Sequence, residues 1–325
     1  MIRTTHVGSL PRGPELVPLL LARDKGEVYD AAAFDRVVQA AVDQGVRKQV
    51  EAGVSIVSDG ELGKVGYSTY VIERLSGFGG HSPRKPALDR HGSGVSAFMN
   101  SASPGLITAF QPNQFYPSHE AYLADLVAAM RPEYEAIVEA GFELQLDCPD
   151  LAMSRHTGYQ DMSEAEFLKT IAANVEALNA ATANIAPDKL RMHVCWGNYE
   201  GPHDFDIPLE KIIGTVLSAR PATILFEAAN PRHEHEWTVW KATDTSGKIL
   251  APGLIDSCSN YIETPELIAQ RIERFAGFVG KDRVIASSDC GFGTFAGYGK
   301  IDPAVAWKKL AALREGADIA DGRIG

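Results

Sequence analysis

The chain has 325 residues, 45% hydrophobic, 22% charged and 8% aromatic, with 31 Lys and Arg against 42 Asp and Glu, a net charge of −11. This is globular composition with length enough to bury a large core, and an acidic chain lacks the basic footprint of a nucleic-acid binder or the polybasic attraction to anionic lipid. No run of about 18 apolar residues occurs, Met1-Ile2-Arg3-Thr4-Thr5-His6 is no signal peptide, and four cysteines are too few for a disulfide scaffold, so a cytoplasmic protein without membrane or nucleic-acid partners is expected.

In chain order, β-like runs fall at 4–9, 54–58, 106–109, 142–146, 190–195, 223–228, 249–255 and 284–288. Between most of them lie segments whose apolar residues recur at helical spacing: 31–52, 119–140, 163–183, 209–217, 263–278 and 302–315. Ser163 stands three residues before Glu166 as a capping box, and Gly53 and Gly141 follow helix ends. A Gly/Ser/Pro-rich irregular stretch at 77–105 reads as a long βα excursion over a site. Eight strands, most followed by a helix, predict an α/β fold, one (β/α)8 TIM barrel domain over 1–325. Two doubly wound halves are the rival, but no glycine-rich dinucleotide turn follows any early strand.

Barrel chemistry sits where strands end and βα loops begin. Those ends carry Val7-Gly8-Ser9, Asp59-Gly60-Glu61, Asp147, His193 with Cys195, Glu227, Asp256 with Cys258, and Asp289-Cys290. His193 and Cys195, two apart on a strand, point to one face. With Cys290 and the carboxylate of Glu227 they would make a four-ligand zinc set, since thiolates and imidazole favour zinc over magnesium or calcium. The alternative is that both cysteines are small buried hydrophobes and that Glu227, Glu61 and Asp147 are satisfied by arginine, backbone or salt bridges. His233-Glu234-His235-Glu236 opens a helix and reads as a solvated face or a support for the site. The run from Gly291 to Gly297 allows close approach to a ligand but lacks the lysine of a P-loop. No Gly-x-Ser-x-Gly elbow supports serine hydrolase chemistry.

Several of these pieces occur together in a known order: Thr4-Thr5-His6-Val7-Gly8-Ser9-Leu10-Pro11-Arg12, Ser58-Asp59-Gly60-Glu61, His193-Val194-Cys195, Gly253-Leu254-Ile255-Asp256 and Ser288-Asp289-Cys290-Gly291. Over essentially its whole length the chain resembles the catalytic, C-terminal barrel of cobalamin-independent methionine synthase. It is similar to the single-barrel branch, which includes core methionine synthases and epoxyalkane:coenzyme M transferases. The resemblance implies a zinc ion (Zn2+) held by His193, Cys195, Glu227 and Cys290 that binds a thiol as thiolate for attack on an alkyl group, with Glu227 yielding to the substrate sulfur. It further implies that Val7, Gly8 and Ser9 hold the carboxylate of homocysteine, and Glu61 and Asp147 its ammonium group.

Three positions depart from the methionine synthase pattern. Cys258 stands where the family carries a proton-donating histidine, Met153 where an acidic residue contacts folate, and Phe110-Gln111 where a tryptophan lies beside the pterin. The zinc and thiol half is thus retained and the donor half is not, which leaves folate, a methyl corrinoid or a simpler methyl compound open as donor. The expected function is zinc-dependent methyl transfer to a small thiol, most simply homocysteine. A coenzyme M-type addition to an epoxide would instead need a cation such as Arg12 or Arg232 for the sulfonate and a proton from Cys258 or His6. The same ligand set would also serve a zinc hydrolase, or a non-catalytic barrel with structural zinc. The sequence is silent on whether the chain forms a homo-oligomer.

Overall fold

In a computed structural model of the protein, residues 1–68, 70–75, 96–297 and 301–324 are described. The eight strands are β1 (Arg3–Thr4), β2 (Ile56–Val57), β3 (Ser96–Ala102), β4 (Glu143–Asp147), β5 (Leu190–Val194), β6 (Thr223–Phe226), β7 (Ile249–Ile255) and β8 (Ile285–Ser288). They form one sheet in the order β1-β8-β7-β6-β5-β4-β3-β2. The Ser55 amide donates to Thr4 O at 3.0 Å and Thr5 Oγ1 to Ile56 O at 3.1 Å, so the two terminal strands of that order also meet. This is the predicted (β/α)8 barrel.

By its internal contacts the chain divides into two compact units, Met1–Tyr67 with Asn198–Glu200 and Ile224–Gly325, and Ser68–Gly197 with Gly201–Thr223. In the first, the helix Ala31–Glu51 starts where Asp30 accepts from the Ala33 amide at 3.0 Å, and Gly53 follows its end with φ 78°. The C-terminal helix Pro303–Ile324 packs on Pro265–Val279 through a glycine: a Cβ on Gly316 would collide with Ile268. In the second unit, the capping box forms as expected, with Ser163 and Glu166 exchanging side-chain-to-backbone hydrogen bonds at the head of Glu164–Ala181. Among the described residues no helix is long and apolar enough to cross a membrane.

One expected strand is a helix. Leu106-Ile107-Thr108-Ala109 lies within the helix Pro104–Phe110, because Ser103 caps the Leu106 amide at 3.0 Å and Pro104 takes the first turn, where no amide is needed. Leu106, Ile107 and Thr108 are all buried, which makes a short helix look like a core strand. The third strand is Ser96–Ala102, paired in register with β4 from Phe98↔Glu143 to Ala102↔Asp147. The irregular excursion read over 77–105 therefore ends before Ser96; its residues 77–95 lie outside the described set.

Alternation on β4 and β5 puts Leu144 and Leu146 on one face and Gln145 and Asp147 on the other, opposite Arg191 and His193 in register. All of these residues are buried, so the strands carry polar layers inside the protein as well as apolar ones. A buried ion pair ties the last helix to the end of β7: Lys309 Nζ reaches Glu263 Oε2 at 2.9 Å, while Glu263 Oε1 accepts from the Asp256 amide at 2.7 Å. Replacing Lys309 by Met leaves Glu263 charged and buried, and is expected to cost about 3–5 kcal/mol. Urea unfolding checks this, with Lys309→Met/Glu263→Gln recovering most of the loss; a single-variant loss below about 1 kcal/mol would sink the assignment.

Candidate metal and substrate site

Asp147 and His193 end β4 and β5 side by side in the second unit. Asp147 accepts from Asn100 Nδ2 at 3.2 Å and from Gln145 Nε2 at 3.3 Å, and its Oδ1 lies 3.8 Å from His193 Nδ1. At that distance Asp147 is an electrostatic neighbour of the imidazole and not a hydrogen-bond partner. The Cys148 and Met153 amides donate to His193 O and Cys195 O at 2.9 and 3.0 Å, which holds the backbone on either side of Val194. Nearby, Asp150 is buried and accepts from Ser103 Oγ and Asn174 Nδ2, both at 3.0 Å. Burial nevertheless pushes its carboxyl up to about 6. Cys148 is buried and its thiol is pushed far up by the same cause, so it is core filler.

In the first unit, one buried carboxylate organises the strand ends. Asp289 Oδ1 accepts from the Ala228 and Ala229 amides and Oδ2 from the Asn230 amide, each at 2.8 Å, and from Asn230 Nδ2 at 2.9 Å. Burial, with Glu227 beside it, raises the Asp289 carboxyl. Asn230 Nδ2 also donates to Glu227 Oε2 at 2.6 Å, and Arg232 reaches the same oxygen at 2.9 Å.

The turn Val7-Gly8-Ser9 is fixed by Ser288 Oγ accepting from the Val7 amide at 3.3 Å and by the Phe292 amide on Ser9 O at 2.8 Å. The close approach expected of Gly291 and Gly293 is to this turn, since Cβ atoms there would collide with Ser9 Oγ and Leu10 O. Glu61 sits in the left-handed region at φ 52°, unusual for a residue with a side chain. Its amide donates to Asp59 Oδ1 at 2.9 Å and Arg12 donates to its carbonyl at 3.0 Å. Its carboxylate is buried, and Oε2 has no hydrogen-bond partner among the described residues. Desolvation raises its carboxyl against the lowering influence of Lys64 and Arg12.

Cys258 is half-buried, and burial together with Asp256 pushes its thiol up to about 12. Its Sγ donates to Asn198 Oδ1 at 2.8 Å. Asn198, which sequence reasoning missed, also accepts from Ser257 Oγ at 2.8 Å and donates to Gly291 O at 2.6 Å and Thr294 Oγ1 at 2.9 Å. Its place three residues after Cys195 was the available signal. His6, two residues beyond β1, is wholly buried with Nε2 at 2.8 Å from Gln49 Oε1 on the helix Ala31–Glu51. His233 and Glu236 pair with each other at 2.8 Å, both buried.

Of the four expected ligands, three come together: ligand atoms of His193, Cys195 and Cys290, all buried, lie within 4.8 Å of one another. Glu227 is not in that group.

The family model described as "Cobalamin-independent synthase, Catalytic domain" matches residues 105–307. The chain belongs to this family. Proteins named methionine synthase from Saccharolobus islandicus and Thermococcus kodakarensis are 25% and 23% identical, over 98% of this chain and 95% and 93% of theirs. A B12-independent methionine synthase from Shewanella sp. W3-18-1, solved with selenomethionine, superposes with a TM-score of 0.76 at 20% identity, over 99% of this chain and 98% of that one. A putative vitamin-B12 independent methionine synthase from Listeria monocytogenes gives 0.68 over 98% and 99%. Cobalamin-independent synthases are thus the family in which the His193, Cys195 and Cys290 grouping occurs here, and the protein is an enzyme of the methionine synthase type.

Asp150 yields a pH prediction. With its folded-state carboxyl raised from 3.8 to about 6, the native state holds a proton that the unfolded chain releases. Its contribution is complete below pH 4, is lost as pH rises toward 6, and is constant above. The difference in unfolding free energy between wild type and Asp150→Asn should therefore change by up to about 3 kcal/mol across that window. Denaturant titrations at several pH values check this; parallel stability curves would exclude it.

Proposed function

We propose that the chain is a zinc-dependent methyltransferase acting on a small thiol, homocysteine, to give methionine. The observation that carries this reading is the buried grouping of two cysteines and a histidine at the ends of β5 and β8. Those donors fit zinc: thiolate and imidazole are its preferred ligands. His193, Cys195 and Cys290 would hold the ion, with Glu227 as a fourth, oxygen ligand. When bound, zinc would lower the pKa of a substrate thiol so that it is a nucleophile at neutral pH.

The protein's own residues would do the rest. Glu61 and Asp147 are buried carboxylates suited to an ammonium group, and Glu61 Oε2 has no hydrogen-bond partner among the described residues. The rigid turn at Val7, Gly8 and Ser9 would hold the substrate carboxylate. A sulfonate thiol is less well served, because Arg12 is engaged by Gly293 O and Glu61 O, and Arg232 by Glu227. Cys258 would stand in the place of the proton donor as a neutral thiol. The donor, whether folate, methyl corrinoid or a simpler methyl compound, is left open.

X-ray absorption of the zinc-loaded protein should show about two sulfur neighbours, with a third on adding homocysteine. Cys290→Ser should lose most of its zinc on dialysis; zinc content equal to wild type would remove Cys290 from the set. Glu61→Gln and Asp147→Asn should each raise KM for homocysteine about 10–100-fold, the cost of one charge-assisted hydrogen bond. A thiol lacking the amino group should be affected less than threefold, and equal losses with both thiols would refute the ammonium assignment.

A further inference from the structure

Glu227 is the one expected ligand outside the grouping of His193, Cys195 and Cys290, and two donors on its own loop hold it. Its Oε2 takes two donors, Asn230 Nδ2 at 2.6 Å and the Arg232 guanidinium at 2.9 Å. Asn230 cannot follow Glu227 away from this place, because its amide and side chain are both fixed on Asp289, which in turn immediately precedes Cys290. Arg232 differs: its side chain is 23% exposed against 2% for Glu227, so it can pair with the carboxylate or turn to solvent. The pair of donors is a built receptacle for a carboxylate, three and five residues along the same loop.

We propose that Glu227 has two seats, the fourth position on the metal and the receptacle formed by Asn230 and Arg232, and that Arg232 sets how readily a thiol replaces it. This rests on the reading of His193, Cys195 and Cys290 as a zinc site. A carboxylate leaving a cation inside a protein needs compensation, since a buried unpaired charge costs several kcal/mol. Arg232 supplies the countercharge and an N–H donor from Nη2 at the place to which the carboxylate withdraws. Exchange of oxygen for sulfur then leaves no carboxylate stranded. The same guanidinium lowers the affinity of Glu227 for the metal by competing for it.

The test compares wild type, Arg232→Met, Arg232→Lys and Glu227→Gln, each loaded with zinc, by X-ray absorption during titration with homocysteine and by the rate of zinc release to a chelator. Arg232→Met keeps the apolar stem and removes the charge at a partly exposed position. It should need at least tenfold more homocysteine to bring in the third sulfur, and should release zinc several-fold more slowly. Arg232→Lys, which restores the charge without the fork, should fall between. In the Glu227→Gln background Arg232→Met should change neither readout, because the side chain it serves no longer carries a charge. A homocysteine requirement within twofold of wild type in Arg232→Met, or an effect of equal size in the Glu227→Gln background, overturns the second seat. Zinc that gains no sulfur in the wild type overturns the thiol-binding reading itself, and the two failures are told apart by that control.

Discussion

The strand ends of the first unit depend on one buried carboxylate. Asp289 gathers three successive backbone amides, Ala228 to Asn230, and its own amide donates to Ile255 O at 3.0 Å. It therefore joins the ends of β6, β7 and β8. An ionised carboxylate in this setting would be costly alone, and four donors within 2.9 Å are what offset that cost. The arrangement also dictates Gly253, where any Cβ would run into Asp289. Glu227 immediately precedes the amides that Asp289 gathers, and Cys290 immediately follows Asp289, so the geometry of both follows from this anchor.

Four of the buried carboxylates at the strand ends are satisfied in different ways. Asp289 is held by backbone amides, Asp147 by the side-chain amides of Asn100 and Gln145, and Glu227 by Asn230 and Arg232. Glu61 has none of these at its carboxylate: its neighbours Asp59 and Arg12 bind its backbone, and they keep it in a left-handed conformation that ordinary side chains avoid. Strain at the backbone, together with an Oε2 that has no hydrogen-bond partner among the described residues, supports the proposed contact of Glu61 with a group from outside the chain. A cationic substrate group is what a buried carboxylate of raised pKa needs to remain ionised.

Much of this was legible in the sequence because barrel topology converts a linear list of strand ends into neighbours. His193, Cys195 and Cys290 could be grouped without any structure, once β5 and β8 were placed. The third strand could not: Ser96–Ala102 carries Asn100 and Ser101, with no β-branched residue, while the apolar run that looks like a strand is a buried helix. Local pattern fails there because both faces of the run are covered. The engagement of Glu227 by Arg232 was foreseeable only as one of two possibilities, since a carboxylate near a cation and a carboxylate near a metal have the same sequence. Asn198 escaped altogether. Its importance lies in four hydrogen bonds to residues 59 to 96 positions away, and its place three residues after Cys195 hints at the site but not at these partners.

Those bonds bear on the half of the site that departs from the family pattern. A histidine at position 258 would titrate near neutrality and exchange protons with a leaving group readily. Cys258 is instead a thiol held near 12 by burial and by Asp256 and Glu227, with its proton on Asn198 Oδ1. Burial and the neighbouring carboxylates thus favour the thiol form over the thiolate. Asn198 thus binds the β7 loop to the β8 loop, through Ser257 and Cys258 on one side and Gly291 and Thr294 on the other.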